Sequence, residues 1–193
     1  ISAFIKSMRG CDPDAALYWL AKMLHAGEDI RFIARRIVIA ASEDVGMADS
    51  NALRVAVAAQ QAVEFIGMPE ARIPLAHATV YIATAPKSNR AYAGIDAALQ
   101  DVASGRTLAV PPHLRTKTRK KIGETSGNFS SSDATYQYGH DAEEGYIPQA
   151  YLPKGRVYYE PSPHGMEQRV AERLDHWRRL FDEATGAKPP GGA

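Results

Sequence analysis

Asp49-Ser50-Asn51-Ala52-Leu53-Arg54-Val55-Ala56-Val57-Ala58-Ala59-Gln60-Gln61-Ala62-Val63-Glu64-Phe65-Ile66-Gly67 is the stretch on which the fold class turns. Asp and Ser accept hydrogen bonds from the first free N–H groups of a helix, and Gly supplies the left-handed residue that ends one. The spacing predicts a helix over 51–66. Its middle, Val55 to Ala59, is small and apolar almost all round, and such a helix is buried on more than one side. We expect part of that burial to be against another subunit. Leu53, Val55, Ala56, Ala59 and Val63 are therefore the candidate oligomer interface.

The same grammar extends in both directions. Ile1 to Ile5 already reads as helix. Asp12-Pro13 opens a helix through Leu17, Leu20 and Leu24 that Gly27 stops. Asp29 opens another, with Ile30, Ile33, Ile37 and Ala41 on one face and Arg31, Arg35 and Arg36 mainly elsewhere. A fourth helix fits 70–84, with Pro74 early in it and Pro86 beyond its end, and a fifth runs from Ser88 to Val102 before Gly105. From Arg106 to Gly165 the chain turns rich in Pro, Gly, Ser and Tyr and loses helical period. Here we expect extended segments and turns, a loop at Ser126–Asp133 and a short strand at Arg156–Tyr159. A last helix follows, with Met166, Val170, Leu174, Trp177 and Phe181 as its stripe. The expected organisation is a helical oligomerisation core over 1–105, an irregular segment packed on it over 106–165, a C-terminal helix over 166–184 and a disordered tail over 185–193. The fold class is mainly α.

The bulk composition is that of an ordinary globular chain: 193 residues, 45% hydrophobic, 23% charged, net charge +1. One thiol, Cys11, cannot form an internal bridge. No signal peptide and no membrane-length apolar run is visible, so the expectation is a cytoplasmic protein with no membrane partner, nucleoid-associated if bacterial. The chain begins in mid-pattern at Ile1, which reads as a piece of a longer protein.

The search for chemistry finds little. Neither a Gly-x-x-x-x-Gly-Lys-Ser/Thr loop nor a Gly-x-Gly-x-x-Gly turn occurs. Ile37 to Asp44 looks like an apolar strand ending in acids, as in a magnesium-nucleotide site, but it continues the helical pattern from Asp29. The six histidines form no His-Glu-x-x-His pair, Cys11 has no cysteine neighbour, and no Gly-x-Ser-x-Gly elbow is present. No catalytic residue, cofactor site or metal site is assigned. The strongest local feature is basic: Arg115, Lys117, Arg119, Lys120 and Lys121, following Pro111-Pro112-His113-Leu114. Such a run neutralises phosphates in a nucleic-acid site, or it is a solvated turn beside acidic loops. The tyrosines from Tyr136 to Tyr159 either stack on bases or pin an irregular segment to the core.

Several strings taken together resemble one family. They are Phe4-Ile5-Lys6-Ser7-Met8-Arg9-Gly10, Asp12 through Ala21, Arg31-Phe32-Ile33-Ala34-Arg35-Arg36, Ala41-Ser42-Glu43-Asp44-Val45-Gly46, Ile66-Gly67-Met68-Pro69-Glu70-Ala71 and Ala85-Pro86-Lys87-Ser88-Asn89. Tyr138-Gly139-His140-Asp141, Tyr151-Leu152-Pro153 and Tyr158-Tyr159 look like its later landmarks. The likeness is to the C-terminal region of RarA/MgsA-type AAA+ ATPases, the replication-associated recombination proteins, related to the Werner-helicase-interacting protein. It covers the chain to about Trp177, and the loop Lys117–Asp133 departs most from it. The resemblance implies a clamp-loader-collar-like helical region that forms a homotetramer. It also implies a parent DNA-dependent ATPase that acts in replication, recombination and repair at stalled forks. ATP and magnesium then belong to an N-terminal module outside this chain, with no cofactor in the chain itself. The implied partners are DNA, through the full-length protein, and replisome or single-strand-binding proteins. The alternative is a DNA-contacting module that uses the basic run.

Overall fold

The computed structural model describes residues 1–115, 136–152 and 156–186, and the chain is mainly helical. Among the described residues seven α-helices follow in order: α1 (Ser2–Arg9), α2 (Pro13–His25), α3 (Ile30–Ala40), α4 (Asn51–Ile66), α5 (Arg72–Thr84), α6 (Arg90–Ala103) and α7 (Glu167–Thr185). The caps sit where residue type places them. Asp12 Oδ1 accepts from the Ala15 N–H at 2.9 Å, and Asp29 Oδ1 accepts from the Arg31 N–H at 2.9 Å. At α4, Asp49 does the capping, taking the Asn51 N–H at 3.0 Å, and Gly67 ends the helix at φ 72°. Pro74 is the third residue of α5, where a missing N–H breaks no intrahelical bond.

The contacts divide the chain into two compact units, residues 1–100 with 157–172 and residues 101–156 with 173–193. In the first, α5 lies against α1, α2, α3 and α4, so it is the central helix. Phe4, Met8, Leu20, Ile33, Ile37, Val63, Leu75 and Ile82 are buried together. Each such side chain contributes about 1.5–3 kcal/mol on leaving water. Between α3 and α4 the chain does not run on as α-helix. Ala41–Val45 winds as a π-turn and Gly46–Ala48 as a 3-10 turn.

The first unit also holds 157–172. Among the described residues there is no strand, and the one expected at Arg156–Tyr159 is absent. No ladder pairing forms there among the described residues. Instead the Tyr158 carbonyl lies so close to α6 that a Cβ on Gly94 would stand 2.6 Å from it. The turn into α7 is just as tight. The Met166 N–H donates to the Ala48 carbonyl at 2.8 Å, and Gly165, at φ 55°, fits because a Cβ there would fall 2.2 Å from that same oxygen. Met166, expected on the last helix's apolar stripe, precedes the helix and is exposed.

In the second unit Tyr146 acts as a pin, whereas Tyr136, Tyr138 and Tyr151 are exposed. Tyr146 stacks on Trp177 with ring centroids 5.3 Å apart, and its hydroxyl donates to the Trp177 carbonyl at 3.0 Å. Gln149 spans to Gln137 at both backbone groups. Asp101 accepts from Arg156 at 2.6 Å. Ser126–Asp133, most of the basic run and the tail 187–193 lie outside the described residues. No helix among the described residues is long and apolar enough to cross a membrane.

Candidate functional site

Three places answer to the sequence: the outward side of α4, a polar cleft beside the π-turn, and Arg115. On α4, Ala52, Ala56, Ala59 and Val63 recur at helical spacing and are buried in the chain's own core, with Val55 packed at its edge. This corrects the interface expected there. Ala56, Ala59 and Val63 face α3 and α5 of the same chain and present no surface to a second one. Leu53 alone of the five expected residues is exposed. The open side of the helix carries Leu53, Arg54, Val57, Gln61, Glu64 and Phe65, and Phe65 is 92% exposed. Gln60 donates to Glu64 Oε1 and holds that carboxylate at the surface.

The cleft, about 530 Å³, is lined by Arg9, Glu43, Asp44, Lys87, Ser88, Asn89, Arg90, Tyr92, Ser162, Pro163 and His164. The extra residue of a π-turn re-aims side chains, and such turns recur at functional sites. Here it turns Glu43 and Asp44 toward α1. Arg9 donates from Nε to Asp44 and from Nη2 to Glu43, the latter at 2.9 Å. The hydrogen bond to Asp44, then the charge of that carboxylate, raises the Arg9 pKa above its ordinary value. Lys87 is committed too. Its ammonium donates to the carbonyls of Ile82, Ala83 and Ala85 at 2.7, 3.2 and 2.6 Å, closing the end of α5. Behind the cleft Glu167 is fully buried. Tyr159 donates to Oε1 at 2.8 Å and the Ser162 N–H donates to Oε2 at 2.9 Å. Burial alone drives the Glu167 pKa up. The hydrogen bonds from Ser162, Ser88 and Tyr159 outweigh it, and the carboxyl titrates below its ordinary range. For Tyr159, burial first and then the Glu167 carboxylate push the phenol up to about 12.

Arg9, Glu43, Asp44, Lys87 and Glu167 thus all have partners within the chain. They tie α1, the π-turn, the end of α5 and the start of α7 into one piece. Among the described residues no three His, Cys, Asp or Glu side chains gather as a metal site. Sequence reasoning missed this set, because the Arg9 partners lie 34 and 35 residues away. The one available signal was the acidic pair after an apolar run, which gives no partner.

Of the basic run, Arg115 is described. It is exposed, with Nε donating to the Val110 carbonyl at 3.0 Å. Lys117, Arg119, Lys120 and Lys121 lie outside the described residues. Arg31 and Arg35, four residues apart on α3, are exposed on one side of it, and the Arg35 guanidinium sits 5.2 Å from the Phe32 ring centroid.

The family model described as MgsA AAA+ ATPase C terminal matches residues 10–178. The chain is 50% identical over 190 residues to an AAA domain-containing protein of Mycobacterium tuberculosis, covering 96% of this chain and 41% of that protein. It is 41% identical over 187 residues to Replication-associated recombination protein A of Coxiella burnetii, covering 95% and 41%. It is 39% identical over 155 residues to the ATPase WRNIP1 of Dictyostelium discoideum, covering 80% and 17%. The chain thus spans about two fifths of the length of the first two relatives.

Proposed function

The chain belongs to the family of MgsA AAA+ ATPase C-terminal regions, and from that premise we propose that it is an assembly domain. In this reading it holds ATPase modules together as a homotetramer that serves DNA replication, recombination and repair at stalled forks. The names of its relatives favour the setting, since several are replication-associated recombination proteins. The observation that carries the assembly role is the open side of α4. A helix that already buries one face in its own core also displays Leu53, Val57 and an almost bare Phe65. Apolar surface of that kind, set among charged residues, marks a protein contact.

In the same reading, ATP and magnesium bind the part of the relatives that this chain does not span. The domain acts in the cytoplasm, with DNA as the partner of the whole protein and replisome or single-strand-binding proteins as further partners. Light scattering over a concentration series tests the assembly role. A tetramer is expected, and a monomer at every concentration contradicts it.

A DNA-contacting role is favoured by the exposed arginines Arg31 and Arg35 on one side of α3. Its test is the dependence of single-stranded or forked DNA binding on salt. Each phosphate contact contributes a slope of roughly −0.7 to −0.9 in log K against log salt. Neutralising Arg31, Arg35 and Arg115 then flattens the slope by about two to three units, and an unchanged slope removes these residues from the site.

A further inference from the structure

Taking the chain as an assembly domain, as proposed above, we infer that α4 pairs with α4 of a second copy of this chain, antiparallel and centred on Ala59. Three observations converge on this occupant. The first is the placement of the outward residues. At about 100° per residue, Leu53, Arg54, Val57, Gln61, Glu64 and Phe65 fall within an arc of about 120°, opposite the buried Ala52, Ala56, Ala59 and Val63.

The second is the order of charges along the helix. Arg54 stands near its N-terminal end and Glu64 near its C-terminal end, and α4 has no acid in its first turn and no base in its last. A helix favours the reverse, because its N-terminal end is partially positive and its C-terminal end partially negative. For α4 alone both charges are on the wrong end. A second α4 running the opposite way corrects both. Arg54 then lies beside the negative end of its neighbour and Glu64 beside the positive end.

The third is register. Centring the pair on Ala59 sets Arg54 level with Glu64 of the second copy, Leu53 level with Phe65 and Val57 level with Gln61. The contact runs over about 18 Å of helix at 1.5 Å per residue. A parallel pair would instead stack arginine on arginine and glutamate on glutamate. The arrangement is isologous, so every contact occurs twice. It supplies one of the two-fold interfaces of a tetramer with dihedral symmetry.

The test is sedimentation equilibrium of the full chain carrying Arg54→Glu, Glu64→Arg, both together, or Phe65→Ser. All three positions are exposed, and thermal melts matching the parent chain show that the variants fold. Each single charge reversal places like charges at two symmetric levels. It is expected to weaken this interface by about tenfold or more, so that the mass falls to half or to that of a monomer. The double reversal restores pairing to within about threefold, and Phe65→Ser weakens it at least as much as a single reversal. Single reversals without effect, or a double reversal that fails to restore assembly, overturn the antiparallel pairing. If the parent chain is still an oligomer in that case, assembly uses another surface and the assembly reading stands. A parent chain that is monomeric throughout removes both.

Discussion

Replacing Glu167 by Ala should be among the most damaging single changes in the first unit. The carboxylate is fully buried and takes the Tyr159 hydroxyl at 2.8 Å and the Ser162 N–H at 2.9 Å. A hydrogen bond to a charged acceptor is worth about 1.5–3 kcal/mol, and a donor left buried without a partner costs about 1–3 kcal/mol. The Ser162 N–H sits in a buried residue and has no route to water, whereas the Tyr159 hydroxyl, only partly buried, regains some hydration. The expected loss is therefore about 3–4 kcal/mol for Glu167→Ala. For Glu167→Gln, which keeps one acceptor oxygen and sets an amide donor against the other donor, it is about 2–3 kcal/mol. Urea unfolding followed by far-UV circular dichroism at neutral pH reads both. The pH dependence supplies a second check. The folded-state pKa of Glu167 lies below the ordinary value, so its stabilisation is complete above the ordinary glutamate range and fades as the pH falls through the folded-state value. The gap between the parent chain and Glu167→Gln should narrow in acid. A loss under about 0.5 kcal/mol for Glu167→Ala, against the expected size of a buried charge-assisted bond, would refute the reasoning.

Other changes separate backbone strain from contact. Gly165→Ala combines φ 55° with a Cβ 2.2 Å from the Ala48 oxygen, and should cost about 3 kcal/mol or more. Gly27→Ala, at φ 77° with open space around it, should cost only about 1–2 kcal/mol, and thermal melts rank the two. Arg9→Met strips the partner from the buried Asp44 carboxylate and should destabilise by about 1–3 kcal/mol, scaled down from a fully buried pair because Arg9 is half exposed. Adding Asp44→Asn should recover part of that loss. In an alkaline absorbance titration Tyr159 should ionise at about 12, later than an ordinary tyrosine near 10. With a raised folded-state value, its contribution holds below the ordinary pKa and is lost as the pH climbs through about 12. Tyr159→Phe should delete that late step.

The sequence carried the helices well because their ends are chemical. Asp12 and Asp29 cap, Gly27 and Gly67 stop, and α4 spans Asn51–Ile66 as its flanks require. It did not carry the orientation of α4. With Val55 to Ala59 apolar all round, the ladder Ala52, Ala56, Ala59, Val63 and the row Leu53, Val57 look equally fit for burial. Only packing against α3 and α5 selects the first. The π-turn was also invisible, since the run from Ile37 to Ala41 keeps its helical period up to the residue where the winding changes. The strand expected at Arg156–Tyr159 failed for a tertiary reason: β-prone residues need a neighbouring edge, and the Tyr158 carbonyl meets Gly94 of α6 instead. The clamp of Glu167 on Tyr159 and Ser162 follows from the tight turn at Gly165, which no local pattern announces. The cleft around Arg9 joins residues far apart in sequence, so residue types alone could not assemble it.

The most direct test of the assembly account is the mass of the 193-residue chain in solution, measured by sedimentation equilibrium from low to high micromolar concentration. The account predicts a reversible approach to four copies of the 21.0 kDa chain, weakened by Phe65→Ser. A single 21.0 kDa species at every concentration would contradict it.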